Sequence, residues 1–144
     1  MNAHGDERVS IRLSHCNLRA RDLDEALAFY RDVIGLEVRA DIPMGAGRWL
    51  TVGPPGQPEI EVILEPMTFT DDAEAEQLLR SLMERHVIQT LIFLVDDCDA
   101  TFERVKSAGA TVGQEPTNQP YGVRDCSFRD PSGNQVRFSQ LLSG

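Results

Sequence analysis

His15 and Glu61 are the residues of this chain whose types suit a divalent metal. An imidazole and a carboxylate supply the nitrogen and oxygen donors that Zn, Ni, Fe or Mn accept. Two donors rarely suffice, so the question is what else stands beside them. His4 lies in the leading segment and His86 at the end of a helical pattern, so neither is a good ligand. Cys16, Cys98 and Cys126 are an odd number without a C-x-x-C pair, which fits free thiols in a reducing compartment. No serine sits in a nucleophile elbow, and "MGAG" lacks the Lys-Ser/Thr and helix start of a phosphate loop. Trp49 and Tyr121 offer rings that could stack on a flat ligand; Trp49 reads equally as strand core and Tyr121 as an ordinary turn residue. Phe69 and Phe93 read as core or interface, and Cys126 as a small buried residue.

The elements that must position these side chains are visible as period and punctuation. Residues 9–18 alternate as a strand. Asp22 reads as a helix N-cap with Glu25 three residues on, apolar residues recur at helical spacing through Ile34, and Gly35 stops the helix. Strands are expected over 37–42, 48–52 and 59–64. A helix over 71–85, capped by Thr70, carries one apolar stripe of Ala75, Leu78, Leu79, Leu82 and Met83. It is an addition to the minimal pattern, expected to pack a dimer or wall a cavity. Then the pattern restarts: the strand "VIQTLIFLV", a helix from Asp97 stopped by Gly109, and strands over 110–114, 124–129 and 134–141.

This is an internal repeat. Asp22 and Asp24 match Asp97 and Asp99, Gly35 matches Gly109, and Val38 matches Val112. An offset of 75 carries His15 onto Thr90, and an offset of 76 carries Glu61 onto Arg137. Threonine is a poor transition-metal ligand, and a guanidinium cannot be one. Arg137 could instead pair with Glu61 or take an anionic or carbonyl group of a ligand. The chain thus leans away from a bound metal or cofactor and towards a polar floor of His15, Glu61, Thr90 and Arg137.

"SHCNLRARDLDEALAFYRDVIGLEV" resembles the first-module signature of the vicinal oxygen chelate superfamily, which includes glyoxalase, extradiol dioxygenases and bleomycin-resistance proteins. "PEIEVILE" is similar to the strand carrying the second ligand, and "RDPSGNQVRFSQ" to the closing turn and last strand. The resemblance spans residues 9–142. It implies an α+β fold of two βαβββ modules, with curved mixed sheets around a cavity, often assembled as a homodimer. The modules are expected at 8–66 and 88–142, joined by a helical linker at 67–87, within one structural domain. Because Thr90 and Arg137 depart from the metal-dependent pattern, the chain is more similar to the metal-free branch, which sequesters antibiotics such as bleomycin and mitomycin.

Composition narrows the partners. Hydrophobic content of 41% and charged content of 26% are those of a soluble globular protein. No apolar stretch approaches the roughly 20 residues that span a membrane, and no signal-peptide core opens the chain, so a cytoplasmic protein is expected. A net charge of −9 argues against nucleic acid. The acidic residues at 71–76 read as a solvated helix face, with attraction of a cationic ligand as the second reading. The expected function is therefore a metal-free protein that binds a bulky aromatic small molecule through His15, Trp49, Glu61, Thr90, Tyr121 and Arg137. The alternatives are a glyoxalase-like lyase, isomerase or dioxygenase with an atypical metal site, and a metal-free enzyme using His15 and Glu61 as base and orienter.

Overall fold

The matched helix signals produce matched helices. In a computed structural model, which describes residues 9–68 and 71–143, Asp22 accepts a hydrogen bond from the Glu25 N–H and Asp97 accepts one from Ala100. Each cap opens a helix: α1 (Leu23–Ala28), which continues into a π-helical turn (Phe29–Ile34), and α3 (Cys98–Ser107). Past each helix a glycine takes a left-handed conformation, Gly35 at φ 94° and Gly109 at φ 98°, where a Cβ would be strained. His4, Phe69 and Thr70 lie outside the described residues.

The strands are β1 (His15–Ala20), β2 (Glu37–Met44), β3 (Gly47–Gly53), β4 (Glu61–Pro66), β5 (Thr90–Leu94), β6 (Thr111–Asn118), β7 (Val123–Arg129) and β8 (Gln135–Leu141). They form two four-stranded sheets, ordered β1-β4-β3-β2 and β5-β8-β7-β6. In each, the first and last strands of the half pair in parallel and the rest are antiparallel. The repeat extends to irregularities: β2 shifts register after Val38 and β6 after Val112, the pair matched in sequence. Pro43 and Pro116 fall on β2 and β6, outer strands where a missing donor costs no ladder bond.

One face of each sheet makes the core. Leu18, Leu50, Val52 and Leu64 of the first sheet join Phe128, Val136 and Phe138 of the second, with Tyr30 from the π-helical turn and Phe102 and Val105 from α3, in one apolar cluster. Hydrogen bonds also tie the halves together. The Tyr30 hydroxyl donates to Asp130, Asn134 Nδ2 donates to the Arg19 carbonyl, and Arg104 donates to the carbonyls of Val33 and Ile34. Among the described residues, no helix is long and apolar enough to cross a membrane.

Two expectations need correction. The first strand begins at His15; Ser14 accepts one backbone hydrogen bond from the Glu61 N–H of β4, and residues 9–13 join no ladder. The period-2 pattern was there, but no neighbouring strand of the same chain meets it. The helix between the halves, α2 (Ala73–Arg85), is capped by Asp72 and buries only Met83, leaving Leu78 and Leu82 exposed. It lies over the last turn, where a Cβ at Gly133 would come within 2.5 Å of the Met83 carbonyl oxygen, so only glycine permits this docking. Gly133 also has φ 95°.

Candidate binding site

Side chains alternate across a strand, so the residues opposite the core share a face. On β1 and β4 these are His15, Asn17 and Arg19 with Glu61, Ile63 and Glu65. His15 and Glu61 are direct partners in the parallel ladder, and the His15 Nε2 lies 3.7 Å from a Glu61 carboxylate oxygen. The other oxygen of Glu61 accepts a 2.6 Å hydrogen bond from Thr51, a fully buried hydroxyl on β3. His15 Nδ1 lies 2.9 Å from the Ser14 hydroxyl. Two residues before Thr51 on the same strand, Trp49 sets its ring 6.0 Å from the His15 ring at 47°. The hairpin that carries Trp49 is braced by Arg48, whose guanidinium grips both oxygens of Asp41 and reaches Asp24 on α1. The first half therefore offers an aromatic ledge, Trp49 with His15, beside a carboxylate whose two oxygens differ in engagement.

The second half is built differently. Thr90 pairs with Gln135 in the ladder, and its hydroxyl donates to the Gln135 side-chain oxygen at 3.1 Å. Because His15 pairs with Glu61 as Thr90 pairs with Gln135, the register equivalent of Glu61 is Gln135, not Arg137. Arg137 sits two residues further along. A two-residue slip keeps the same face, which is why the sequence offset concealed it. Arg137 turns away from the first half to a 3.0 Å ion pair with Asp125, a carboxylate that is almost fully buried on β7.

Asp125 is the hub of a network that sequence reasoning missed. Its side chain accepts from Gln114 at 2.9 Å, from Gln119 at 3.0 Å and from the Tyr121 hydroxyl at 3.4 Å, as well as from Arg137. The signal was a lone aspartate inside the buried stretch "VRDCSF". Burial pushes its carboxyl up, but Gln119, Gln114 and the charge of Arg137 outweigh that, and the net shift is downward. A carboxyl depressed in the folded state contributes stability above its unfolded value of about 3.9, and that contribution is lost as pH falls through the lower folded value. Asp125→Asn should therefore flatten the acid limb of a melting-temperature profile below about pH 4, relative to the parent chain. An unchanged limb would remove Asp125 as its source.

The six residues expected to form one floor thus fall into separate sets. His15, Trp49 and Glu61 come together, Tyr121 and Arg137 join Asp125, and Thr90 pairs with Gln135. None of the six lines the apolar cleft of about 530 Å³ between Pro54, Gln57 and Ile60 on one side and Leu91, Ile92, Phe93 and Leu94 on the other. Cys16 and Val62 line it too, and they point to the opposite side of the β1–β4 pair from His15 and Glu61. The two buried thiols offer no nucleophile: burial raises Cys98 and pushes Cys126 up to about 12.

A resident metal is a poor fit for these donors. Among the described residues, no three His, Cys, Asp or Glu side chains come together as a metal-holding group. His15 and Glu61 supply two donors, Glu61 is already engaged by Thr51, and the register equivalents in the second half are a hydroxyl and a neutral amide.

Residues 12–138 match the family described as the Glyoxalase/Bleomycin resistance protein/Dioxygenase superfamily. The chain is 31% identical over 137 residues to a lactoylglutathione lyase of Neisseria meningitidis, covering 93% of this chain and 94% of that protein. The crystal structure of UcmS2 superposes with a TM-score of 0.84 at 38% identity, covering 91% of this chain and 98% of that one. TnmS3, an antibiotic binding protein from Streptomyces sp. CB03234, superposes with a TM-score of 0.72 at 26% identity, covering 93% and 98%.

Proposed function

This chain belongs to the glyoxalase/bleomycin resistance protein/dioxygenase superfamily, and from that membership we propose that it is a metal-free binding protein that sequesters a bulky, partly aromatic small molecule. The observation that carries the reading is the Trp49–His15 ledge beside the Glu61–Thr51 pair. A flat ring placed on Trp49 gains stacking and apolar burial, and the free side of Glu61 and the imidazole fix its orientation by hydrogen bonds. Sequestration needs no general base, and Glu61, held on one oxygen by Thr51, is arranged as an orienting acceptor. The structural likeness to an antibiotic binding protein supports the same ligand class. The protein acts as a homodimer in the cytoplasm, with Arg137 and Tyr121, ordered by Asp125, as a second polar surface for the ligand.

The second reading is a metal-dependent lyase with an atypical site. The adjacency of His15 and Glu61 and the lactoylglutathione lyase likeness favour it. One experiment separates the two. The protein is incubated with Zn, Ni, Fe and Mn, desalted and assayed for metal, and Trp49 fluorescence is titrated with bleomycin, mitomycin and other aromatic natural products. Trp49 is the sole tryptophan, so quenching reports on the ledge directly. Saturable quenching without bound metal is the expected result. Near-stoichiometric metal that disappears in His15→Ala or Glu61→Ala overturns the binding reading.

A further inference from the structure

Three residues that the β1–β4 ladder brings together form a relay that sequestration does not use. The Ser14 carbonyl accepts from the Glu61 N–H at 2.8 Å, and His15 is the direct ladder partner of Glu61. The register therefore fixes Ser14, His15 and Glu61 against one another. The Ser14 hydroxyl lies 2.9 Å from His15 Nδ1, and His15 Nε2 lies 3.7 Å from one Glu61 oxygen. Thr51 donates to the other oxygen at 2.6 Å. Ser14 is exposed and the His15 side chain is 39% exposed, so a ligand reaches both.

The direction of the relay follows from what each group can do. An ionised carboxylate accepts hydrogen bonds and donates none. Facing His15 Nε2, Glu61 favours the tautomer with the proton on that nitrogen. Nδ1 then carries the lone pair, so the Ser14 hydroxyl is the donor between the two. Thr51, fully buried, pins the far oxygen of Glu61 and with it the carboxylate plane. A hydroxyl on a base, and that base on a carboxylate, is the order of parts that activates a serine nucleophile. The two ring nitrogens are exchanged relative to the usual arrangement, because Ser14 and His15 are chain neighbours. The 3.7 Å separation is loose, as such contacts often are before a substrate tightens them. Strand register, and not a strand-to-helix elbow, places this serine.

We propose that Ser14 is a nucleophile for acyl transfer, and that the chain hydrolyses uncharged aryl esters. The proposal rests on the Trp49–His15 ledge of the binding reading for where the ring of the ester lies, and adds a reaction there. Ser14 Oγ attacks the ester carbonyl carbon as its proton passes to His15 Nδ1. The bond to the aryloxy oxygen breaks and the imidazolium returns the proton to that oxygen, which releases a phenol and leaves the acyl group on Ser14. Water then attacks the acyl carbonyl and gives a proton to His15 Nδ1. The carboxylic acid leaves, and Ser14 Oγ takes the proton back. Glu61 stays ionised and steadies the imidazolium. Ester and water become phenol and acid, with nothing oxidised or reduced. Glu61 and Glu65 share this face, and the net charge is −9, so anionic esters are repelled.

The full chain, with a chelator present, is given 4-nitrophenyl acetate; release of 4-nitrophenolate is followed and the acetyl group is located by peptide mapping. Release with the acetyl group on Ser14 is the expected result. Ser14→Ala and His15→Gln, each with unchanged circular dichroism, should lose the acetyl-serine and slow release about 100-fold. Ser10→Ala, outside the relay, should match the parent chain. Release unchanged in Ser14→Ala, or acetyl on Cys16, Lys106 or His15 with Ser14 unmodified, overturns the proposal. 4-Nitroanisole has the ring without the carbonyl, and its quenching of Trp49 fluorescence separates binding from chemistry. Quenching in the parent chain and in Ser14→Ala, without acetylation, keeps the ledge and overturns the nucleophile. Acetylated Ser14 without quenching supports the nucleophile and removes the ledge.

Discussion

Asp130→Ala is expected to cost ~3–5 kcal/mol of stability, because four donors lose one acceptor at once. The Asp130 carboxylate accepts from the Tyr30 hydroxyl at 2.6 Å, from the Ser132 and Asn134 backbone N–H groups at 2.8 and 2.9 Å, and from Asn134 Nδ2 at 2.9 Å. Tyr30 is fully buried, so its hydroxyl has no water to turn to. Burial, reinforced by Asp130, pushes the Tyr30 hydroxyl well up, so it remains a protonated donor at any ordinary pH. The effect extends beyond the turn, since the same asparagine holds the Arg19 carbonyl and caps the free edge of β1. Tyr30→Phe removes one bond and should cost only ~1–2 kcal/mol. Urea denaturation of the two variants checks the ordering; equal losses would mean that the backbone donors contribute nothing.

Trp49→Ala is expected to weaken ligand binding about 30-fold or more, the usual consequence of deleting a buried aromatic anchor. Trp49→Phe should recover most of it, because a smaller ring still stacks. Calorimetry is the right readout, since the substitution removes the fluorophore. Affinity unchanged in Trp49→Ala would move the ligand off the first sheet, and the Asp125–Arg137 surface would be examined next.

The scaffold was largely legible in the sequence, and the reasons are local. Asp22 and Asp97 cap helices, and Gly35 and Gly109 stop them, through interactions within a few residues of each position. His15 and Glu61 were legible as a pair because the strand parity of both was correct. What remained hidden depends on register and on partners distant in sequence. Gln135 and Arg137 share a face, so parity could not choose between them; only the ladder, Thr90 against Gln135, does. Asp125 carries no motif, and its four donors come from β6, from the turn after it and from β8. Thr51 resembles any strand threonine until its hydroxyl meets Glu61. The stripe on α2 was visible, but which part of it would be covered depends on the Gly133 turn about 50 residues later.

The bonds that tie the two halves govern how the chain is born as well as how it stands. Tyr30 and Asp130 are 100 positions apart, and Asn134 reaches back 115 positions to Arg19. Closing loops of that length makes folding slow relative to a protein of local contacts. At a synthesis rate of about 5–20 residues per second, Tyr30 waits roughly 5–20 seconds for its acceptor to be made. Throughout that interval the first half is on the ribosome with a strand edge uncapped and a tyrosine hydroxyl unanswered. It completes its structure only when the turn "RDPSGN", more than 100 residues after Tyr30 begins to wait, has emerged, so the first half does not finish folding by itself.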